Sequence, residues 1–203
     1  MPKATEAIRK LKEGNQRFVS EVRRTDTLVK KIKRADVVEE QAPFAIILGC
    51  SDSRVPAEIV FDQGLGDLFV IRVAGNIVAP SQIGSVEFAA ERYGTPLVVV
   101  LGHSMCGAVM ATIEALEQPS GKNSSNVLSI VNRIRPIVEP LFATELRDNP
   151  KKLLESSIHA NILAATNQLT HGSSLLESMV EQGNLKIVGA EYSLETGIVS
   201  FIE

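Results

Sequence analysis

Apolar residues fall along this chain in two periods. Phe44–Gly49, Leu68–Val73, Leu97–Leu101 and Leu185–Gly189 are short, mostly apolar runs, entered or left through proline and glycine. Runs of that length and β-branched content suit strands covered on both faces, as in parallel sheets. Between them the apolar positions recur every three or four residues. That spacing predicts a helix from a Ser81 cap to Tyr93, one from Gly107 to about Leu116, and others over Val127–Val138, Leu153–His171 and Ser174–Gln182. Pro136, Pro140 and Pro150 are read as separators and Gly183 as a stop. Val55–Asp62 suits a turn or short helix, and Gly197–Ile202 an antiparallel edge strand.

Strand, glycine turn and helix thus repeat, which predicts right-handed βαβ crossovers. The fold class is α/β: a mostly parallel central sheet of four strands plus a C-terminal antiparallel edge strand, flanked by helices. Residues 1–203 form one domain with residues 1–40 as an N-terminal helical arm. In the arm Ala4, Ala7, Ile8, Leu11 and Phe18 keep helical spacing, and Gly14-Asn15 predicts a bend. Residues 20–40 carry Glu21, Arg23, Arg24, Lys30, Lys31, Lys33 and Arg34 and read as solvated. Pro119–Asn126 is a polar loop and the best candidate for disorder.

Composition adds exclusions. Hydrophobic residues make up 44% of 203 and the formal net charge is −3, an ordinary globular balance. Without concentrated positive charge, neither nucleic acid nor an anionic membrane is an expected partner. No apolar run reaches the roughly 20 residues of a membrane span, and no secretory signal is evident, so a cytoplasmic protein is expected. The two cysteines, Cys50 and Cys106, do not suggest a disulfide framework in that compartment.

Both cysteines stand where predicted strands end. Cys50-Ser-Asp52-Ser-Arg54 follows the first strand, and His103-Ser-Met-Cys106 follows the third. Adjacent strand tips lie about 5 Å apart, so the two loops can converge. Cys50, His103 and Cys106 would form a two-sulfur, one-nitrogen set suited to zinc, with a fourth position open as in catalytic sites. Asp52 would accept a hydrogen bond from zinc-bound water or itself bind the metal, with Arg54 holding it ionised. His159 and His171, inside a predicted helix, read as structural or exposed.

The paired motifs Cys50-Ser-Asp-Ser-Arg54 and His103-Ser-Met-Cys-Gly107 resemble the signature of the β-class carbonic anhydrases. Phe69-Val-Ile-Arg-Val-Ala-Gly-Asn76 and Gly14-Asn15-Gln16-Arg17-Phe18 look like the same family. The resemblance implies one zinc ion per chain on Cys50, His103 and Cys106. It implies an Asp52–Arg54 dyad that orients a zinc-bound hydroxide, with Asp52 a zinc ligand in some resting forms. It also implies a backbone N–H at Gly107 for bicarbonate, a Gln41 supplied by a partner subunit, and pocket walls at Phe69, Ala74 and Phe88. The implied activity is reversible hydration of carbon dioxide to bicarbonate and a proton, in a homodimer or a tetramer or larger assembly.

Departures are present as well. Phe88 stands where many members have Tyr, and Ile47 where members with an inhibitory bicarbonate site have Trp, although Arg72 and Tyr192 match that site. Two thiolates donate more charge to zinc than imidazoles do, so activity is expected to fall below neutral pH. A carbon disulfide or carbonyl sulfide hydrolase would use the same site. A zinc- or redox-responsive binding protein would cycle Cys50 and Cys106 and leave the dyad without a use.

Overall fold

The structure, a computed structural model, describes residues 2–21, 41–118 and 124–202. Its centre is a five-stranded sheet of β1 (Ala45–Gly49), β2 (Leu68–Arg72), β3 (Leu97–His103), β4 (Lys186–Tyr192) and β5 (Val199–Ile202), in the order β2-β1-β3-β4-β5. The first four are parallel and β5 pairs antiparallel with β4, as the hydrophobic runs predict. The fourth run extends further than its apolar core, to Tyr192.

Alternate residues of the central strands feed two cores. Ile46, Leu48, Val98 and Val100 face a layer of α3 (Pro80–Tyr93), α4 (Gly107–Glu117), α5 (Ser125–Phe142), α6 (Pro150–His171) and α7 (Ser174–Glu181). Ala45, Ile47, Val99 and Leu101 face α1 (Pro2–Val19) and α2 (Ala57–Val60). Cover on both sides explains why β1 and β3 are apolar throughout rather than alternating. Ile46, Ile47 and Leu48 are fully buried, each contributing roughly 1.5–3 kcal/mol of transfer free energy. With both faces covered, a slip in register would keep these side chains buried but spoil their close packing, at about 1–3 kcal/mol for each misfit.

The chain runs from β1 outward to β2, then crosses to β3 and β4 on the other side. The order therefore reverses between β1 and β3. In open α/β sheets ligands gather at the carboxyl ends flanking such a reversal, and both cysteine-bearing loops leave from that place.

Several local expectations were overturned by tertiary contacts. The arm helix α1 is one α-helix through Gly14 and Asn15. Asn15 Nδ2 donates to the carbonyls of Val60 and Gly197 at 3.1 and 2.8 Å, and its Oδ1 accepts from Val199 N–H at 2.8 Å. A side chain that would otherwise compete with the helix is thus occupied elsewhere. Pro136 and Pro140 lie inside α5; burial of Val131, Ile134 and Val138 on one face outweighs the lost N–H groups. The same helix takes in Ser125 and Asn126 of the expected polar loop, whose residues 119–123 lie outside the described residues, as do 22–40 of the arm. Helix α3 starts at Pro80 after Ala79, whose side chain cannot cap, so Ser81 is not its cap.

Gly14 gives the first prediction. A Cβ there would stand 1.8 Å from the Phe61 carbonyl oxygen. Alanine in a helix is ordinarily favourable by about 1 kcal/mol over glycine, but here the obstacle is backbone. Gly14→Ala is expected to destabilise by about 3 kcal/mol, the upper end of overpacking costs, read from the urea midpoint. A midpoint at or above the parent's would show that α1 can shift without loss.

Candidate metal centre

Cys50 is the first residue after β1, His103 the last of β3, and Cys106 the N-cap of α4. Their exposures are 5%, 0% and 1%. Between His103 and Cys106 the chain reverses through Met105, a non-glycine residue at φ 56°. That tight return brings the second sulfur back over the sheet. The ligand atoms Cys50 Sγ, His103 Nε2 or Nδ1, and Cys106 Sγ all lie within 4.8 Å of one another. Among the described residues they are the one such group.

The chemistry of the trio suits a cation. His103 Nδ1 lies 2.9 Å from the Ser104 carbonyl oxygen, which can only accept, so Nδ1 carries the proton. Nε2 then presents a lone pair, is buried, and has no hydrogen-bond partner among the described residues. Such an atom facing two sulfurs is what a metal ligand requires. Cys50 is drawn down by a hydrogen bond from Cys106, against burial, with help from the Gly75 and Asp52 amides. Cys106 is pushed up by that same contact and by burial. A divalent cation bound between the two sulfurs would displace whatever proton they hold, since thiolates are the metal-binding form. The donor set fits zinc.

Asp52 sits beside this trio rather than in it. Its Oδ1 accepts from Arg54 N–H and Nε, both at 2.9 Å, and its Oδ2 accepts from Nη2 at 2.8 Å. Oδ2 is also 4.0 Å from His103 Nε2. The bidentate guanidinium, against burial, holds the Asp52 carboxyl well below the usual carboxylate range.

Arg72 fixes the loop from β2. Nε donates to the Cys50 carbonyl at 3.0 Å and Nη2 to the Asp52 carbonyl at 2.6 Å. Two of its donor groups are therefore engaged, while Ile47 and Tyr192, its companions in the inhibitory-site resemblance, are buried. Sequence reasoning missed this clamp, and also Gly75, whose N–H donates to Cys50 Sγ at 3.3 Å. It likewise missed Ser104 Oγ, which donates to Glu195 at 2.9 Å and accepts from Leu194 N–H at 3.0 Å, steadying the carbonyl that holds His103.

Other expected residues fall elsewhere. Gly107, first in α4, is exposed, and a Cβ there would meet nothing within 4 Å, leaving room beside Cys106. Phe69 and Ala74 are half-buried, whereas Phe88 is 53% exposed. Phe69, Phe88 and Tyr93 form one aromatic cluster with ring centroids 5.8–6.4 Å apart. Gln41 Nε2 donates to the Tyr93 hydroxyl at 2.8 Å. Gln41, Phe69 and Phe88 are thus brought together at the β2 edge. Among the described residues no hydrogen bond or ring contact joins that patch to the Cys50, His103 and Cys106 trio. His159 and His171 are exposed and lie 3.9 and 2.8 Å from Glu191 and Glu177.

An α/β sheet with a cysteine–histidine–cysteine set at its topological reversal is the architecture of a metal-dependent enzyme. The carbonic anhydrase family model matches residues 45–199. Carbonic anhydrase 2 of Mycobacterium tuberculosis is 40% identical over 194 residues, 94% of this chain and 89% of that protein. The β-carbonic anhydrase CafA of Aspergillus fumigatus superposes with a TM-score of 0.70 at 25% identity, over 98% of this chain and 90% of that one. A tetrameric β-carbonic anhydrase of Sordaria macrospora gives 0.73 at 21%, over 84% and 85%. The chain belongs to the β-class carbonic anhydrases.

Proposed function

We propose that this protein hydrates carbon dioxide reversibly to bicarbonate and a proton, with one zinc ion per chain on Cys50, His103 and Cys106. The observation that carries the reading is the buried, unpartnered His103 Nε2 facing two sulfurs, with the Asp52–Arg54 pair beside it. Zinc bound there supplies Lewis acidity that makes hydroxide available near neutral pH.

The chain's own residues then act on that nucleophile. Arg54 occupies both carboxylate oxygens of Asp52, with Oδ1 accepting twice and Oδ2 once. Oδ2 keeps an acceptor site on the edge that faces the His103 side of the cluster. Asp52 therefore acts as an acceptor of fixed direction, turning the nucleophile's proton toward itself and its lone pair toward the substrate. Its engagement by Arg54 favours this role over that of a fourth ligand. Open space at Gly107 would admit the product anion to the first-turn amides of α4.

Residues 1–203 are read as one domain. The exposed Phe88 and the Gln41 patch at the β2 edge suit burial against a second copy, in a homodimer or a larger assembly such as the Sordaria tetramer. Neither cysteine is in a disulfide, which suits a reducing, cytoplasmic setting. Among the described residues no helix is long and apolar enough to cross a membrane.

Zinc content measured together with stopped-flow carbon dioxide hydration tests the reading. Stoichiometric zinc and rapid hydration at mildly alkaline pH are expected. A zinc-loaded protein inactive on carbon dioxide but active on carbon disulfide or carbonyl sulfide would reassign the substrate.

A further inference from the structure

One buried polar side chain has no part in the hydration scheme. Asn161 lies midway along α6 among Ile158, Ile162 and Ala165 and is 3% exposed. An amide in such a setting is costly unless it is hydrogen-bonded. Its Nδ2 donates to the Gly75 carbonyl at 2.9 Å, a buried contact between residues 86 apart in the chain. The other side of Gly75 donates its N–H to Cys50 Sγ. One residue thus links a core helix to a sulfur of the trio.

Gly75 is held in place by more than that bond. It sits at φ 71°, in the left-handed region that glycine adopts freely. A Cβ there would lie 2.8 Å from Ile134 Cδ1 and 2.9 Å from Ala108 Cβ, so α5 and α4 close around it. Without Asn161, the Gly75 carbonyl would lose its buried donor, and the turn would relax within the limits that α4 and α5 set. Relaxation of that turn would carry the N–H away from the sulfur.

We propose that Asn161 is a positioning residue for the metal centre: by holding the Gly75 turn it aims an N–H at Cys50 Sγ and slows the release of zinc. The inference rests on the reading of Cys50 as a metal ligand. Loss of an outer partner of a ligand costs about 10–100-fold in metal affinity.

The test compares zinc-loaded, full-length parent, Asn161→Leu and Ser157→Ala. Leucine keeps the bulk of asparagine and removes the donor. Ser157 lies one turn earlier on α6, is fully buried, and has no hydrogen-bond partner among the described residues. Zinc release is followed with a chromophoric chelator. Asn161→Leu is expected to release zinc about tenfold faster than the parent, and Ser157→Ala at the parent rate. Parent-like release from Asn161→Leu overturns the proposal, and so does equal acceleration in both variants. A second measurement needs no variant: the parent loaded with cadmium-113 is expected to show scalar coupling between the metal and the Gly75 amide proton. Absence of that coupling also overturns the proposal. A parent that retains neither zinc nor cadmium would instead sink the metal reading itself.

Discussion

Cys106→Ser is expected to lose its zinc on dialysis and to lower carbon dioxide hydration by about three orders of magnitude or more, equal to at least about 4 kcal/mol of barrier. Cys106 serves two purposes: its backbone opens α4 and its sulfur completes the trio. Serine is among the best N-cap residues, so the helix start is retained. What is lost is a soft, ionisable donor, replaced by a neutral hydroxyl that zinc binds poorly. The substitution therefore separates the ligand from the fold, which a bulkier replacement at a 1%-exposed position would not. Zinc analysis, thermal unfolding and stopped-flow hydration on the same sample check it. Stoichiometric zinc with more than half of the parent rate would remove Cys106 from the ligand set.

Asp52→Asn is expected to keep its zinc and lose about 100-fold in kcat/KM, the cost of removing one preorganised polar group. The amide keeps the shape, but its NH2 group would face Arg54 donors, so the bidentate pairing is broken. Arg54→Ala should fall by a similar factor. The double variant should fall little further, because the two residues act as a unit. Retention of the full rate by Asp52→Asn would end the dyad's role while leaving the trio intact.

The pH dependence follows with its sign. Arg54 holds the folded-state Asp52 pKa down, below an unfolded value of about 3.9. Its contribution to stability is therefore present above that value and lost as pH falls through the lower folded one. Between about pH 5 and 9 Asp52 stays ionised, so the expected fall of activity below neutral pH has to arise elsewhere. The parent and Asp52→Asn should show parallel profiles across that window. The pair's share of stability is small, because Arg54 is 55% exposed and solvent screens it.

Much of the architecture was legible along the chain because its cause is local. Short, continuous apolar runs at Phe44–Gly49 and Leu97–Leu101 suit strands covered on both faces, and the glycine turns and helical spacing between them predict crossovers. That placed Cys50, His103 and Cys106 in loops at strand ends of one sheet, where they could converge; that those strands are neighbours came from the sheet order. What local spacing misjudged was set by partners far away in sequence. Asn15 stays helical because residues 45 and 184 positions away take its hydrogen bonds. Pro136 and Pro140 are tolerated because one face of α5 is buried.

The chain by itself pointed to the four parallel strands and the edge strand, which periodicity carries, and to Cys50, His103 and Cys106 with Asp52 and Arg54 beside them, which residue type and the resemblance of the paired motifs carry. Only the tertiary structure decided how the trio is held: Arg72 on two loop carbonyls, Gly75 on a sulfur, and Asn161 behind it. A hydrogen bond to a backbone carbonyl depends on where that carbonyl points. Direction in space is a property of the packed fold, and no one-dimensional pattern contains it.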